Sequence, residues 1–411
     1  MQRRWTAAAA AITALALVVG ACGGGGTGGT TGGATTAKTV KIISSLPMTG
    51  ASRTQTVEIV NSIKMAIEET KIPNVTVNYE ALDDATAAKG SWDAAQEAEN
   101  ARKAINDKSV VAYIGTYNSG AAKISIPLLN QAGLVMVSPA NTYPGLTKGP
   151  QFGAEANEPG VYYPSGKKTY ARVVPADDIQ GAVGAVWAKE LGAKNVYIVH
   201  DNELYGKGIA DVFRTKAKEI GLVEKGYEGA AKADNYRALA NKVLSSGADF
   251  LYYGGIVDNN PAVLVKDLKA VAPNVKFMGP DGINCSEFMK QAGPAGEGVY
   301  STFGGVPAEK YTGKAAEWLK NYDAKFSNKN PNPYAIYGYE AAKVVLAAIA
   351  KAGDKADDRA TVLANVMGTK DYDGVLGKWS FDANGDTTLT QFSGSIGKAG
   401  AWTFAKELAV K

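Results

Sequence analysis

The sequence predicts an α/β protein made of two doubly wound, parallel-sheet lobes with a ligand cleft between them, and three observations lead to this class. The chain has 411 residues, enough for two medium domains with substantial cores. Its composition, 45% hydrophobic and 20% charged, is that of a globular chain and excludes both disorder and a multi-span membrane protein. Short β-rich runs alternate with helical runs in two successive series, which is typical of parallel sheets covered by helices.

The N-terminus has the pattern of an exported protein. Residues 1–22 begin with a short basic stretch, continue with an apolar run too short for a good membrane span, and end in small residues. The last five, VVGAC, resemble a bacterial lipobox, which implies that Cys22 is lipidated and becomes the mature N-terminus; an ordinary secretory signal is the alternative. Arg3 and Arg4 leave the export route, Sec or twin-arginine, open. Residues 23–37 contain only Gly, Thr and Ala and predict a flexible tether with a reach of about 20 Å.

The elements of the globular body follow in order from Lys38. Strands are predicted at VKIISSLP, VTVNYEALDD, VVAYIGT and LVMVSPA, with helices between them at TVEIVNSIKMAIEET, DAAQEAENARKAIND and SGAAKISIPLLNQAG. Residues 148–168, rich in Gly and Pro, predict a long surface excursion of unassigned role. The second series has strands at ARVVPA, NVYIVHD, 222–228, ADFLYYGG and KFMGPDG, and helices at 178–192, 205–220, 235–246 and 260–271. GVYSTFGGV, helical stretches at 308–325 and 333–352, and C-terminal antiparallel hairpins complete the chain.

The composition also excludes several kinds of chemistry. His200 is the single histidine, and the chain has neither a nucleophile elbow nor a P-loop motif, so we predict neither an enzyme nor a metal site. DANGD at residues 382–386 is interpreted as a hairpin turn, because Ser393 stands where a calcium loop needs Glu. A net charge of +4 without a dense basic run predicts no nucleic-acid binding. If Cys22 is lipidated, Cys285 has no disulfide partner.

Polar residues follow two neighbouring predicted strands at the point where each strand ends. Ser119 begins a helix after YIGT, and Thr142 lies just after VSPA. Ligands of doubly wound sheets bind beyond the carboxyl ends of the strands, and a helix N-terminus favours an anion. The two loops therefore predict a site for a small anionic ligand.

Eight motifs occur in the order and at the spacing of a known family: LPMTG, YEALDD, YIGTYNSG, VSPANTYPGLT, IVHDNELYGKG, LYYGG, FMGPDG and YAIYGYEAA. From about Val40 to Phe404 the chain resembles the leucine/isoleucine/valine-binding protein family, the type I periplasmic substrate-binding proteins of ABC importers. The resemblance implies two lobes joined by three crossings. The first lobe would comprise residues 38–172 and 304–376, and the second residues 173–303 and 377–411.

The resemblance also implies which residues contact the ligand. Ser119 would hold a carboxylate, while Ala140 and Thr142 would offer a backbone carbonyl and a hydroxyl. Asp281 would pair with an ammonium group through a charge-assisted bond, and Tyr205 matches an aromatic residue on the wall of the second lobe. Each position also has a purely structural alternative, as a helix cap, a turn residue or a core aromatic.

The chain departs from the family pattern at the end of the site that touches the ligand side chain. Thr86 and Asn118 occupy the positions of the family disulfide, so that bridge is absent. Gln55 stands in place of one wall aromatic, and Ile256 in place of another. Arg53, close to Gln55, would either recognise a polar side chain or lie solvated at the mouth of the cleft.

Together these features predict an extracytoplasmic solute-binding lipoprotein that is anchored to the cell membrane and captures an α-amino acid by hinge closure. A branched-chain or other apolar amino acid is favoured. The protein would act as a monomer, without a cofactor, and would deliver its ligand to an ABC permease in the membrane. Amides, urea or aromatic acids are alternative ligands, although they lack the ammonium that Asp281 would bind. A ligand-sensing receptor component is a further alternative.

Overall fold

The computed structural model describes residues 37–409. The predictions for the leader, for Cys22 and for nearly all of the tether lie outside these residues. The helices are α1 (Arg53–Glu69), α2 (Ala94–Asn106), α3 (Ser119–Gln131), α4 (Asp177–Glu190), α5 (Leu204–Glu219), α6 (Arg237–Ser245), α7 (Pro261–Val271), α8 (Ser286–Ala292), α9 (Gly313–Phe326), α10 (Ala335–Ala352) and α11 (Arg359–Met367). The strands are β1 (Lys38–Leu46), β2 (Val75–Asp83), β3 (Ala85–Thr86), β4 (Ser91–Trp92), β5 (Val110–Gly115), β6 (Val135–Ser138), β7 (Tyr170–Arg172), β8 (Asn195–His200), β9 (Val223–Gly229), β10 (Phe250–Gly254), β11 (Lys276–Gly279), β12 (Tyr300–Gly304), β13 (Tyr372–Gly374), β14 (Gly377–Trp379), β15 (Phe392–Lys398) and β16 (Ala401–Leu408).

Five parallel strands form the sheet of the first lobe, in the order β2-β1-β5-β6-β7. The core on one face of this sheet contains residues of α1, α10 and α11, and the core on the other face contains residues of α2 and α3. The central strand β5 is buried along its whole length, as expected for a parallel strand covered on both faces. The first lobe is therefore doubly wound, as predicted.

The sheet of the second lobe has seven strands in the order β16-β15-β12-β11-β10-β8-β9. Five of these strands are parallel: β12, β11, β10, β8 and β9. Strands β15 and β16 extend the sheet beyond β12 as an antiparallel hairpin. Helices α4 and α5 contribute to the core on one face, and α6, α7 and α8 to the core on the other. The C-terminal hairpins are thus confirmed, and one of them completes the second sheet.

The chain passes between the two sheets three times: after β7, after β12 and before β15. The second and third passages lie side by side, because the Gly305 N–H donates to the Gln391 carbonyl at 2.8 Å. Trp379 and Phe381 pack into the core of the first lobe. The lobe boundaries stay a prediction. The predicted boundary at the third passage lies between positions 376 and 377, and the packing of Trp379 and Phe381 favours a boundary closer to β15.

The excursion at residues 148–168 is more than a surface loop. Tyr162 and Tyr163 are buried. The Glu158 carboxylate is also buried and accepts hydrogen bonds from the hydroxyl of Tyr143, at 2.7 Å, and from the hydroxyl of Tyr162. Glu158 therefore fastens the excursion to the loop that follows β6.

The DANGD segment forms a turn. Asp382 Oδ1 accepts the N–H groups of Asn384 and Asp386 at 2.8 and 2.9 Å, and Asp386 pairs with Arg172 at 2.7 Å. Within residues 37–409, no helix combines the length and the hydropathy that are needed to cross a membrane.

Candidate ligand-binding site

A small cavity lies between the lobes at the carboxyl ends of their strands. Ten residues line it: Tyr117, Asn118, Ser119, Ala140, Thr142, Tyr205, Ile256, Asp281, Gly282 and Tyr334. Six of the seven residues predicted to contact the ligand are among them. The cavity offers about 20 Å³ to water, which is roughly the space that one water molecule needs.

Ser119 is the first residue of α3, at the end of the helix that favours anions. The N-cap residue, Asn118, makes no side-chain hydrogen bond to the first amides of the helix. The Ala121 N–H donates to the Asn118 carbonyl at 3.1 Å, whereas the amides of Ser119 and Gly120, at the first two positions, have no partner within the helix itself. The Ser119 hydroxyl accepts the Tyr143 N–H at 3.3 Å, and a hydroxyl that accepts one hydrogen bond still has its own proton to donate. The start of α3 therefore supplies a group of donors suited to a carboxylate.

The loop after β6 is held in place by buried hydrogen bonds. Ser138 Oγ accepts the N–H groups of Ala140 and Asn141 at 3.1 and 2.8 Å. Arg172, fully buried, donates from Nη1 to the Asn141 carbonyl at 3.2 Å. These bonds fix the loop that places Ala140 and Thr142 at the cavity.

Asp281 lies in the short turn after β11, where it joins the two lobes. Its Oδ1 accepts hydrogen bonds from Gln180 Nε2 at 2.8 Å and from the Tyr205 hydroxyl at 2.7 Å, both in the second lobe. Its Oδ2 accepts the Tyr334 hydroxyl of the first lobe at 2.6 Å. Burial raises the pKa of Asp281 above its usual range, although these three hydrogen bonds oppose the shift. Because all three donors are neutral, the charge of an ionised Asp281 is stabilised but not neutralised.

Asp177, the first residue of α4, is a second buried carboxylate near the site. It has no solvent exposure, and neither of its carboxylate oxygens makes a hydrogen bond of good geometry. Burial, followed by the neighbouring charge of Asp281, raises the pKa of Asp177 well above its usual range. The nearby Thr142 hydroxyl opposes this rise of the pKa. Among residues 37–409, neither carboxylate forms an ion pair. A cationic ligand group would therefore find two buried acids close to the cavity.

The rest of the cavity wall is mainly aromatic and aliphatic. Tyr117 packs edge-on against Tyr334, with ring centroids 5.8 Å apart, and Ile256 is buried beside them at the cavity. The structure corrects the placement of Gln55, which lies behind the wall and donates from Nε2 to the Tyr117 hydroxyl at 2.9 Å. Arg53 is exposed, in agreement with the interpretation of a solvated residue.

Six residues that line or shape the site were not predicted as ligand contacts: Tyr117, Asn118, Gly282, Tyr334, Asp177 and Gln180. Tyr334 lies within the quoted motif YAIYGYEAA, so the motif could have identified it. Asp177 follows a Pro-Ala pair and Gln180 lies one turn further along α4. Nothing in their local pattern separates these two from an ordinary first turn of a helix.

Two α/β lobes joined by three passages, with a polar cavity between the ends of their strands, define a bilobal ligand-binding protein. Residues 39–393 match the family model described as periplasmic binding protein. The chain belongs to this family, whose members act outside the cytoplasm. The predicted resemblance and fold class are both confirmed.

Several known proteins are similar over most of the chain. Leu/Ile/Val-binding protein homolog 2 of Brucella abortus is 28% identical over 355 residues, which cover 84% of this chain and 87% of the relative. The crystal structure of the leucine binding protein LivK from Thermotoga maritima has a TM-score of 0.79 and 26% identity, and the match covers 90% of this chain and 98% of that one. An ABC-transporter solute binding protein from Rhodopseudomonas palustris, in complex with p-hydroxybenzoic acid, shares the fold at a TM-score of 0.75 and 19% identity, covering 90% and 96% of the two chains.

Proposed function

We propose that this protein captures a small α-amino acid with an apolar side chain in the cavity between its lobes. The observation that supports an amino acid most directly is the pair of buried carboxylates, Asp281 and Asp177, without an ion-pair partner among residues 37–409. A buried charge is costly unless it is paired, so an ammonium group at the cavity would offset the cost of ionising Asp281, which lines the cavity.

The other end of the ligand would be held by the start of α3. The Ser119 hydroxyl and the first amides of the helix donate toward an anion, and Thr142 adds a hydroxyl on the neighbouring loop. Donors for a carboxylate and acceptors for an ammonium then meet at one small cavity, which is the pattern a zwitterion needs. The side chain would lie against Tyr117, Ile256 and Tyr334, and this wall favours an apolar group.

The names of the relatives support the same ligand class. One relative is named a Leu/Ile/Val-binding protein, and one similar structure is a leucine binding protein. We extend these names to this chain as a proposal, with L-leucine as the first compound to test.

An aromatic acid is the second candidate, because a protein with the same fold was solved with p-hydroxybenzoic acid. An aromatic acid would use the start of α3 in the same way. It carries no ammonium, however, and would leave Asp281 and Asp177 unpaired.

A thermal-shift screen separates these candidates. The twenty amino acids, urea, short amides and benzoates would each be added at high concentration to the purified protein. A ligand at 100 times its Kd adds about 2.7 kcal/mol of apparent stability, which is readily measured. We expect L-leucine or a similar amino acid to raise Tm, whereas a response to benzoates alone would refute the amino-acid proposal.

We also propose that Cys22 is lipidated and holds the protein at the outer face of the cell membrane, where it delivers its ligand to an ABC permease. The support is the VVGAC motif followed by a tether without core-forming residues. Cys22→Ala should release the protein into the soluble fraction without changing its Tm. A variant that remains firmly membrane-bound would refute the lipid anchor.

A further inference from the structure

Asp258 connects the lobes at a point outside the ligand cavity. It lies in the second lobe, in the turn Val257–Asn259 that follows β10, and only 2% of its surface is exposed. Its Oδ1 accepts the N–H groups of Ala51 and Ser52 at 2.9 and 3.1 Å, and its Oδ2 accepts the Ser52 hydroxyl. Ala51 and Ser52 belong to the first lobe, so one carboxylate takes three hydrogen bonds from the opposite lobe.

The groups that donate these hydrogen bonds to Asp258 lie at the start of α1. Ser52, the N-cap residue, makes no capping hydrogen bond of its own, and the first turn of α1 contains no acidic residue. A helix start carries partial positive charge and stabilises a nearby anion. Asp258 therefore supplies, from the other lobe, the negative charge that helix starts usually receive from their own sequence.

The turn before α1 is shaped to present these amides. Gly50 has φ +97°, and a Cβ at this position would lie 2.1 Å from the Gly90 carbonyl oxygen and 3.1 Å from Asp258 Oδ1. Only glycine fits such a conformation and such an approach. The chain at Gly50 thus brings Ala51 and Ser52 against Asp258 with no room for a side chain between the lobes.

A second contact runs in the opposite direction. Asn332 of the first lobe accepts the Ser286 N–H of the second lobe at 2.9 Å through its Oδ1. Glu58 orients the Asn332 side chain by accepting its Nδ2 at 3.0 Å. Each lobe therefore has one side chain that accepts hydrogen bonds from the start of a helix in the other lobe: Asp258 for α1 and Asn332 for α8.

The Asp258 contact is linked to the cavity through a single short loop. Ile256, two residues earlier, lines the cavity, and its N–H is held by Asp201 Oδ2 at 3.0 Å. A ligand that packs on Ile256 therefore favours one position of this loop against the first lobe. The hydrogen bonds made by Asp258 favour the same position.

We propose that Asp258 is a positioning residue that acts as a latch between the lobes and slows escape of the ligand from the cavity. This inference rests on the proposed capture of a small ligand in the cleft. The three bonds can form only when the lobes are together, so losing them should change the dissociation rate far more than the association rate.

The test is stopped-flow kinetics with L-leucine as the probe. Asp258→Ala should dissociate L-leucine about tenfold faster than the parent, the effect expected for hydrogen bonds to a charged group, with an association rate that is nearly unchanged. Ser52→Ala removes one of the three bonds and should give a smaller change in the same direction. The double variant should match Asp258→Ala alone, because the Ser52 hydroxyl has lost its acceptor.

Asp93→Ala is the matched control. Asp93 is the N-cap of α2, where it accepts the N–H groups of Ala95 and Gln96 within the first lobe. Its loss should lower Tm and leave the dissociation rate of L-leucine unchanged. If Asp258→Ala also lowers only Tm and leaves that rate unchanged, Asp258 is merely structural and the latch is refuted.

A further measurement distinguishes a failure of the latch proposal from a wrong choice of ligand. If the parent does not bind L-leucine, the proposed ligand is wrong, and the compound that raises Tm most in the thermal-shift screen replaces L-leucine in the same kinetics. The latch requires faster dissociation of that compound from Asp258→Ala than from the parent and from Asp93→Ala. Equal dissociation rates would overturn it.

Discussion

At the scale of single residues, Asp281 is the group on which ligand binding should depend most. Its charge is buried and surrounded by three neutral donors, so a ligand ammonium would be its direct counter-charge. Truncating one partner of a buried, hydrogen-bonded charge pair costs roughly 2–5 kcal/mol. We therefore expect Asp281→Ala to weaken the binding of L-leucine at least about tenfold, as measured by isothermal titration calorimetry.

Two further variants make this experiment specific. Asp281→Asn keeps the shape and one acceptor but removes the charge, and its affinity should fall between those of the parent and Asp281→Ala. Asp234 is exposed, and Asp234→Ala should bind as the parent does. Parent-like affinity of Asp281→Ala would place the ammonium at another group.

Asp177 should make stability depend on pH. Burial raises its pKa in the folded protein, so as pH rises above the pKa of an unfolded aspartate, the unfolded chain loses its proton first. Folding stability therefore falls with rising pH over that window. Asn does not ionise and avoids the cost of protonating or burying the carboxylate, so the unliganded Asp177→Asn variant should exceed the parent in Tm by a few degrees near pH 7.

Thermal unfolding between pH 4 and pH 8 checks this expectation. The Tm difference between Asp177→Asn and the parent should shrink toward pH 4, where the parent residue also holds a proton. Asp234→Asn, at an exposed position, should show no such trend. A difference in Tm that is constant over the whole range would mean that folding does not raise the pKa of Asp177.

The sequence predicts the polar ends of the site better than their surroundings. Ser119, Asp281 and their neighbours belong to motifs whose spacing is visible along the chain, and the structure brings six predicted residues to one cavity. The position of Gln55 behind Tyr117 depends on the packing of α1 against β5 and its loop. Tertiary packing of this kind leaves no local signal in the sequence, so the sequence alone predicts Gln55 at the wall of the cavity.

At the scale of elements, a buried ion pair joins β7 to the turn at residues 382–386, and the arginine of this pair also holds the loop after β6. Arg172 donates from Nε to Asp386 Oδ1 at 2.7 Å and also holds the Asn141 and Tyr143 carbonyls. Removing one partner of a buried pair costs about 3–5 kcal/mol when the remaining charge stays buried without compensation. Lys148 Nζ lies 3.5 Å from Asp386 Oδ2 and compensates part of the charge that Arg172→Leu leaves behind. Arg172→Leu should therefore lower the free energy of unfolding by an amount toward the lower end of this range and loosen the loop that presents Ala140.

Urea unfolding followed by tryptophan fluorescence measures this effect. The double variant Arg172→Leu/Asp386→Leu should recover part of the loss, since no unpaired charge remains. The exposed pair Lys38–Asp357, 2.7 Å apart, provides the comparison, and Lys38→Ala should change stability by less than about 1 kcal/mol. A loss of similar size at both pairs would show that burial is not the cause.

Helices and strands with strong periodicity were predicted within a few residues, and short ones were not. The predicted helix 205–220 is α5, Leu204–Glu219. The predicted helix 308–325 begins only at Gly313, because residues 308–310 form a separate single turn. Helix α8 was missed: it has seven residues, too few for a periodic pattern to develop, and it is stabilised by the core of the second lobe.

At the scale of the whole molecule, polar contacts join the two lobes both at the cavity and outside it. Tyr334 of the first lobe donates to Asp281 of the second, and Asp258 of the second accepts from Ser52 of the first. Both carboxylates are buried in this arrangement, and both would gain water if the lobes separated. A bound ligand can therefore shift the equilibrium between the joined and the separated lobes.

The last prediction follows from the size of the cavity. Its space of about 20 Å³ suits a single water molecule, so an amino acid can enter only after the lobes have moved apart. Closure about the three passages would then bury the ligand between Ser119 and Asp281. X-ray scattering should show a smaller radius of gyration with saturating L-leucine than without it. Asp281→Ala at the same L-leucine concentration should keep a larger radius than the liganded parent, because it binds less. If calorimetry shows that the parent binds L-leucine while its radius stays constant, the lobes do not close on the ligand, and the binding site lies outside the cleft.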